Sequence, residues 1–290
     1  MEIQTCAYAK LNLSLDVLGK MDNGYHRMKM VMQSVQLWDD VSIALTADGE
    51  VKAQSNLPYL PNDERNIAVK AAKAFFAETG MTGAGADIRI FKRIPVASGL
   101  GGGSSDGAAV LRGLNALTGA GLSRRQLEKI AEKLGSDVPF CVAGGTVLAE
   151  GKGEVLTDLP PMPECHIVIC KPAFSLSTPE VFERYDSHKT RCRPDTEGLV
   201  KALENGDLRG IAVRMYNVFE DVMPRQYEAI HLIKSQLLNY DALGVTMSGT
   251  GSAVFGIFDS IEKAEEAYRE LKNEYKDCFL TKPINRLEAV

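Results

Sequence analysis

The N-terminal part of the chain alternates between hydrophobic and polar residues. Leucine and valine occupy every second position of KLNLSLDVLG (residues 10–19), and the same period appears in DDVSIALTADG (residues 39–49). A period of two is typical of a β-strand with one buried face. We therefore predict two half-buried strands here, and we place Lys10 on the polar face together with Asn12 and Ser14.

Other stretches show the period of a helix or the signals of further strands. Helices are predicted over residues 66–80, 104–119, 122–135 and 260–275, and shorter ones around 197–204, 207–215 and 226–238. Ser123 and Gln126 have the spacing of a capping box at the start of the third. Further strands are predicted over residues 86–95, 166–172, 244–249, 253–258 and 278–283, with a hairpin around 151–153.

Strands and helices thus mix without strict alternation, which favours an α+β fold over a doubly wound parallel sheet. The proline-rich stretch LPPMPE at residues 159–164 is the best candidate for a boundary. We predict two domains, residues 1–160 and 161–290.

Composition narrows the class of protein. The chain has 290 residues, with 33 Lys and Arg against 38 Asp and Glu and a net charge of −5. A broad nucleic-acid surface is normally basic, so we expect no nucleic-acid partner. Neither a signal peptide nor an apolar run near membrane-spanning length is evident, so we expect a cytoplasmic protein without a membrane partner. The six cysteines form no C-x-x-C pair and the histidines no H-E-x-x-H, so no transition-metal site is indicated.

One segment suggests an anion-binding site. PVASGLGGGSSDGAAVL (residues 95–111) follows a predicted strand, contains a glycine-rich loop and opens a helix. Glycines let backbone N–H groups approach an anion, and a helix N-terminus adds free N–H groups and a favourable dipole. The loop lacks the lysine of a Walker motif, and Ser104 replaces the third glycine of a dinucleotide-binding fingerprint. A phosphate loop of another type and a flexible turn both remain open.

Several polar residues elsewhere have two interpretations. Lys10 could lie on a solvated strand face or project into a cleft. Asp137 follows a helix in LGSDVPF and could cap the next element or serve as a general base. Tyr25 and His26 suit an ordinary surface loop or recognition of an aromatic base. Asp106 fits the first turn of a helix better than a magnesium contact.

A second cluster of small residues occurs in MSGTGSAVFG (residues 247–256). It could be only a hairpin turn, or a surface that abuts the glycine loop.

Taken together, these segments resemble the GHMP kinases, a family of small-molecule kinases. YAKLNLSLDVLGKMDNGYHRM, PVASGLGGGSSDGAAVL and TMSGTGSAVFG resemble its three motifs, in the same order and across nearly the whole chain. GYH, GSDVPF and AEGKGE narrow the resemblance to members whose substrate carries a cytidine diphosphate group. The resemblance implies ATP as co-substrate, Mg²⁺ as cofactor, and an active site between an N-terminal half like domain 2 of ribosomal protein S5 and a ferredoxin-like C-terminal half.

The resemblance also implies roles for individual residues. Lys10 and Asp137 match the catalytic pair. Asn12, Tyr25, His26, Thr178 and Phe182 match substrate-binding positions, with Phe182 facing Tyr25 across the cytosine ring. Asn66 and Lys92 match adenine-pocket positions more loosely. The ATP phosphate loop matches Pro95, Val96, Ala97, Ser98, Gly99, Leu100, Gly101, Gly102, Gly103, Ser104 and Ser105. Neither the metal ligands nor the oligomeric state follows from the sequence.

Three rival functions can be weighed. A sister kinase acting on mevalonate or homoserine is not expected to carry the GYH element. A non-catalytic nucleotide-binding module is expected to lose Lys10 or Asp137, and both are present. A dehydrogenase is the weakest of the three, since the third glycine is missing.

Overall fold

The computed structural model describes residues 1–22, 24–190, 192–224 and 227–287, which form two sheets flanked by helices. The strands of this part are β1 (Glu2–Lys20), β2 (His26–Thr46), β3 (Val51–Ser55), β4 (Gly85–Phe91), β5 (Thr146–Gly151), β6 (Val155–Asp158), β7 (His166–Lys171), β8 (Tyr216–Asn217), β9 (Gly244–Met247), β10 (Val254–Phe258), β11 (Asp277–Thr281) and β12 (Pro283–Ile284). The α-helices are α1 (Ile67–Thr79), α2 (Gly102–Thr118), α3 (Arg124–Glu132), α4 (Val138–Ala143), α5 (Thr178–Asp186), α6 (Thr196–Glu204), α7 (Leu208–Ala212), α8 (Glu228–Asn239) and α9 (Ile261–Glu274), and a 3₁₀ helix spans Val218–Val222.

The larger sheet is organised around β2, which pairs with β1, β4, β5 and β12. The sheet runs in the order β3-β4-β2-β1-β8, while β5 pairs with the opposite end of β2 and carries β6. The first two strands are far longer than the stretches in which alternation predicts them. In β2, residues 30–35 are buried without interruption, so a period of two is absent there. In β1, the missed residues 2–9 (EIQTCAYA) contain few strongly apolar side chains that could show an alternation.

The prediction of one apolar face along β1 is correct only in part. Leu11 and Leu13 pack in one hydrophobic cluster, whereas Leu15 and Val17 belong to another. The pairing of β1 with β2 shifts register between Asn12 and Ser14. An extra residue in one strand moves the following side chains to the opposite face, so the bulge accounts for the division.

The helices near the glycine loop follow the prediction closely, except that α2 begins at Gly102 rather than Ser104 and α3 ends at Glu132 rather than at Gly135. Asn66 caps α1 by accepting a hydrogen bond from the Ala68 amide, and Ser123 and Gln126 form the predicted capping box of α3. Gly80 and Gly119 follow α1 and α2 in the left-handed conformation. The ends of α2 are therefore well defined, and its first turn is placed directly after the loop.

The smaller sheet is antiparallel, in the order β11-β7-β10-β9, with α8 and α9 packed against it. Strands and these two helices follow a β-α-β-β-α-β order, which is the ferredoxin-like arrangement. The expected α+β fold is thereby confirmed.

The two halves of the chain meet through an apolar contact. Leu11 and Leu13 of β1 lie in the same hydrophobic cluster as Ile169 of β7 and Phe255 of β10. The larger sheet also takes β8 and β12 from the C-terminal half. The division at residues 160 and 161 stays a prediction. Across the described residues, no helix is both long and apolar enough to span a membrane.

Candidate active site

The glycine loop lies between β4 and α2 and has a conformation that glycine favours. Gly99 and Gly101 have φ values of 80° and 70°, in the left-handed region. A Cβ atom on Gly99 would lie 2.0 Å from the Ser248 carbonyl oxygen, and one on Gly101 would lie 2.8 Å from Cγ of Lys10. Gly101 precedes α2 without a side-chain cap, so the first amides of this 17-residue helix are left for another acceptor.

Two clefts meet at this loop. The first has a volume of about 340 Å³ and the second about 490 Å³. Residues that line both are Ala97, Gly99, Gly101, Ser104 and Thr178. The first cleft is lined by Lys10, Asn12, Asp137 and Phe182, and the second by Asn66, Lys92 and most of the loop. A group held on the loop can therefore be reached from either cleft.

Lys10 and Asp137 face each other in the first cleft, where the Lys10 side chain lies against Gly101 of the loop that lines both clefts. The Nζ atom of Lys10 lies 3.3 Å from Oδ2 of Asp137 and donates a 2.7 Å hydrogen bond to Oδ1 of Asn12. The Lys10 side chain is almost fully buried, while that of Asp137 is 31% exposed. Asp137 occupies the N-cap position of α4 but makes no side-chain capping bond. Its carboxylate is therefore directed to Lys10 and the cleft rather than to the helix.

The polar face of β1 is buried, which excludes the solvated strand face. Lys10 and Asn12 share a face as predicted and line the first cleft. The side-chain amide of Asn12 donates to the sulfur of Met30, and its backbone amide donates to Oγ of Ser248. Thr178 begins α5 on the opposite wall, with its hydroxyl 3.0 Å from that of Thr250. The structure thus brings Lys10, Asn12 and Thr178 to one cleft.

The aromatic residues have a different arrangement from the one that the resemblance implies. The His26 ring stacks on Phe182, with ring centroids 4.6 Å apart, and Nε2 of His26 lies 2.6 Å from Oδ1 of Asp186. Burial works to raise the pKa of Asp186, but the hydrogen bonds from His26 and Lys20 leave it lowered. Tyr25 is 58% exposed, with the Nζ atom of Lys152 5.4 Å from its ring centroid. Phe182 therefore faces His26 here, and a Tyr25–Phe182 pair around a base stays a prediction.

The two adenine-pocket candidates line the second cleft with their side chains already bonded. The Asn66 amide caps α1 through Oδ1 and donates from Nδ2 to the Pro61 carbonyl. Nζ of Lys92 donates to Asp39 and Asp106 at 2.5 and 2.6 Å. Burial works to lower the pKa of Lys92, but the two carboxylates outweigh it and leave the pKa raised. Both residues therefore form part of the cleft wall, and their side chains are held there by hydrogen bonds within the protein.

Asp106 is buried in the first turns of α2. Its Oδ2 atom accepts from Lys92, and its Oδ1 atom has no hydrogen-bond partner among the described residues. Burial raises the pKa of Asp106 to about 7, against the opposing effect of Lys92. Asp39, which the sequence analysis missed, also accepts from the amides of Arg93 and Ile94 just before the loop.

The small-residue segment 247–256 abuts the glycine loop, so it is more than a hairpin turn. The Ser248 hydroxyl donates to the Gly99 carbonyl at 2.9 Å, and the Ala253 amide donates to the Ser98 carbonyl at 2.9 Å. Asn217 holds this segment from behind by donating to the carbonyls of Met247 and Gly249. The loop is therefore fixed by a segment far along the chain.

Sequence reasoning missed further residues of the first cleft. Lys152, Ser136 and Thr250 line it, and none was a candidate. Lys152 lies in the AEGKGE stretch, where a lysine between two glycines was the available signal. Asn217 carried no signal in the sequence, because its contacts are all distant or with the backbone of the adjoining 3₁₀ helix.

Known protein families and curated proteins match this chain over most of its length. The family models described as "GHMP kinases N terminal domain" and "GHMP kinases C terminal" match residues 66–145 and 199–277. A 4-diphosphocytidyl-2-C-methyl-D-erythritol kinase from Clostridium botulinum is 44% identical over 96% of this chain and 99% of its own. The same name belongs to a relative from Acetivibrio thermocellus, 44% identical over 96% of this chain and 98% of its own.

Solved structures agree with these matches. A 4-(cytidine 5'-diphospho)-2C-methyl-D-erythritol kinase has a TM-score of 0.79 and 29% identity, over 97% of this chain and 99% of its own. A homoserine kinase from Cytophaga hutchinsonii has a TM-score of 0.78 but 20% identity, over 99% and 96% of the two chains, which shows a shared fold alone. On the family-model matches and the full-length relatives, this chain belongs to the GHMP kinase family.

Proposed function

We propose that the protein transfers the γ-phosphoryl group of ATP to the 2-hydroxyl of 4-diphosphocytidyl-2-C-methyl-D-erythritol, giving the 2-phosphate and ADP. The observation that carries the proposal is the Lys10–Asp137 pair in a cleft that shares its glycine loop with a second cleft. Phosphoryl transfer needs a donor and an acceptor brought together in line, with charge stabilised between them. The names of relatives similar over almost the full chain support this substrate.

ATP enters by the second cleft and places its phosphates on the loop. The free amides at the start of α2 and the left-handed glycines offer the backbone donors that a polyphosphate needs. The pocket between Asn66 and Lys92 takes the adenine. The phosphates then extend toward Ser104, which lines both clefts.

Asp137 acts as the general base. Its carboxylate makes no cap bond and is partly exposed to the cleft, so it can accept the proton of the substrate hydroxyl as that oxygen attacks the phosphorus atom. Lys10, with Nζ 3.3 Å away, supplies positive charge beside the developing charge of the transferred group. Asn12 holds the Lys10 ammonium in place through its Oδ1 atom.

The residues at the start of α2 fit a magnesium ion. Mg²⁺ in kinase sites takes one or two protein oxygens together with phosphate oxygens. Oδ1 of Asp106 is buried without a partner among the described residues, and Ser104 lies two residues earlier, in the first turn of α2 beside the loop. We assign these two residues to the ion, which neutralises phosphate charge when bound. Mn²⁺ binding followed by electron paramagnetic resonance, with a non-hydrolysable ATP analogue present, should weaken in Asp106→Asn. Equal Mn²⁺ affinity in the variant contradicts the assignment.

The cytidine end of the substrate is recognised at the rim of the first cleft. Tyr25 and Phe182 sandwich the cytosine, and His26 reads its edge. Because His26 now stacks on Phe182 and bonds Asp186, the base must displace the His26 ring before this sandwich can form. Asp186 and Phe182 both lie on α5, as does Thr178, so one helix presents the contacts that rearrange.

A substrate panel tests the function. Purified protein with ATP and Mg²⁺ is assayed for ADP release with the cytidyl substrate, mevalonate or homoserine at equal concentrations. We expect turnover with the cytidyl substrate alone. Preferential turnover of mevalonate or homoserine would establish the sister-kinase alternative, and ATP binding without turnover of any substrate would establish the non-catalytic module. The cytoplasmic location stays a prediction.

A further inference from the structure

A third cleft, of about 610 Å³, shares no lining residue with the two clefts of the candidate active site. It opens between α2, α3, α4 and the last described residues of the chain. The described residues that line it are Arg112, Asn115, Ala116, Leu122, Arg124, Leu127, Val142, Ala143, Arg286 and Leu287. Every ionisable side chain of this lining is an arginine, so the wall is cationic as well as apolar.

Arg112 is the most unusual of the three. Its Nη1 and Nη2 atoms donate to the carbonyls of Cys141 and Cys6 at 2.6 and 3.0 Å, and its buried Nε atom has no partner among the described residues. Within that part of the chain, no carboxylate pairs with its guanidinium. Burial lowers the pKa of Arg112, as expected of a cation taken out of water without a counter-ion. A largely desolvated cation is costly when only neutral carbonyls accept from it, so an anion in the cleft would relieve the cost.

The other two arginines of the cleft differ in their ion pairs. Arg124 is bonded to Asp158 through both Nη atoms and to Glu128 through Nε. Arg286 is exposed and has no ion pair within the described ranges. Among the described residues, Arg112 and Arg286 thus have no carboxylate partner, and the three arginines together with Asp158 and Glu128 carry three positive and two negative charges, a net charge of +1.

We propose that this cleft binds a small organic anion, with a phosphate or carboxylate group on the arginines and an apolar part against the leucines. Guanidinium groups are well suited to bind both head groups through paired hydrogen bonds. Leu122, Leu127 and Val142 supply the apolar surface. The proposal needs no part of the assigned catalytic reaction.

The position of Arg112 connects this cleft with the catalytic pair. Arg112 projects from α2, whose first turn carries the phosphate loop, and bonds the Cys141 carbonyl in α4 and the Cys6 carbonyl in β1. Asp137 precedes α4, and Lys10 lies four residues beyond Cys6 in β1. An anion on Arg112 therefore contacts the side chain that ties together the elements carrying the loop, Asp137 and Lys10.

The test uses leucine-methyl NMR of the full chain, with a non-hydrolysable ATP analogue present to occupy the phosphate loop. The probes are phenyl phosphate, benzoate and the neutral benzyl alcohol. We expect saturable shifts of the Leu122, Leu127 and Leu287 methyl signals with the two anions, and the tighter binder identifies the head group. Leu176 and Leu60, which line the other two clefts, report binding there.

Two variants distinguish a specific site in the cleft from non-specific attraction of anions to surface arginines. Arg286→Ala removes the exposed arginine of the cleft and should weaken anion binding about tenfold. Arg89→Ala removes an exposed arginine on β4, away from the cleft, and should leave the affinity unchanged. The proposal is overturned if benzyl alcohol gives the same shifts as the anions. It is equally overturned if shifts are confined to Leu60 and Leu176, if no probe shifts the cleft signals, or if both variants bind like the original chain.

Discussion

The ammonium of Lys10 lies 3.3 Å from a carboxylate oxygen of Asp137, although the two residues come from different elements, β1 and the start of α4. The pair is held by a hydrogen bond from Lys10 to Asn12 and by the close approach of Gly101 to the Lys10 side chain. One side chain is buried and the other is partly open to the cleft. The carboxylate of Asp137, the proposed base, therefore remains accessible while the ammonium of Lys10 is fixed.

Asp137→Asn should lower kcat by about 10²–10⁴, the usual contribution of a general base. An amide keeps the shape of the side chain but cannot accept the hydroxyl proton. ATP affinity should be unchanged, because the proposed mechanism assigns the phosphates to the loop amides and not to Asp137. Steady-state kinetics and calorimetric titration of an ATP analogue measure the two effects. Turnover by the Asn variant at the original rate would remove Asp137 from the mechanism.

Tyr25→Ala should raise KM for the cytidyl substrate by about 5- to 100-fold, the range expected for loss of one base–aromatic stack. The kcat should change little, since the ring acts far from the transferred phosphoryl group. Tyr25→Phe keeps the stacking surface and serves as the matched control, with KM close to the original. A fall in kcat at constant KM would contradict a stacking role.

Gly99→Ala should destabilise the protein markedly, whereas Gly103→Ala should not. A methyl group at Gly99 would meet the Ser248 carbonyl at 2.0 Å, and the φ value of 80° disfavours alanine as well. At Gly103 the nearest atom would be Cδ1 of Ile67 at 3.8 Å, and the residue lies inside α2. Alanine there should be neutral or stabilising, by up to about 1 kcal/mol. Denaturant unfolding measures both, and equal losses would show that the Ser248 contact is not limiting.

Asp106 should make stability depend on pH in an unusual direction. Its pKa is raised from about 4 to about 7 by burial, so the folded protein holds this proton more tightly than the unfolded chain. Ionisation between those values therefore costs stability as the pH rises. Asp106→Asn cannot titrate. Relative to this variant, the original chain should lose on the order of 2–3 kcal/mol in free energy of unfolding between about pH 5 and pH 8. Parallel stability curves would contradict the raised pKa.

Much of the fold followed from local patterns. Capping residues and apolar periods placed α1, the end of α2 and the start of α3 correctly, since helix ends depend on nearby residues. The start of α2 lies two residues before the predicted Ser104, and the end of α3 lies before the predicted Gly135. The length of β2 did not follow, because its middle is buried on both faces and has no alternation to detect. The length of β1 did not follow because its first residues, EIQTCAYA, contain few strongly apolar side chains. The bulge near Leu13 was equally hidden, since a shift in register depends on the partner strand.

The site divides in the same way. The glycine loop was evident from its composition and from the predicted helix that follows it. Contact between this loop and segment 247–256 was only one of two alternatives that the sequence left open. Asp39 and Asn217 contribute through contacts 53 to 55 and 30 to 32 residues away, so neither had a local signal. The stacking of His26 on Phe182 joins the start of β2 to α5, far apart in the chain, so it too had no local signal.

The contact between Ser248 and Gly99 joins residues 149 positions apart in the chain. During synthesis the N-terminal half, with the glycine loop, α2 and Lys10, is translated first. Residues 248–253, which bond the loop, are translated only near the end of the chain. Contacts of such long sequence separation form late because the intervening chain must first be ordered. A nascent or truncated chain should thus carry the nucleotide motif without a competent nucleotide site, and ATP cannot be consumed before the polypeptide is nearly complete.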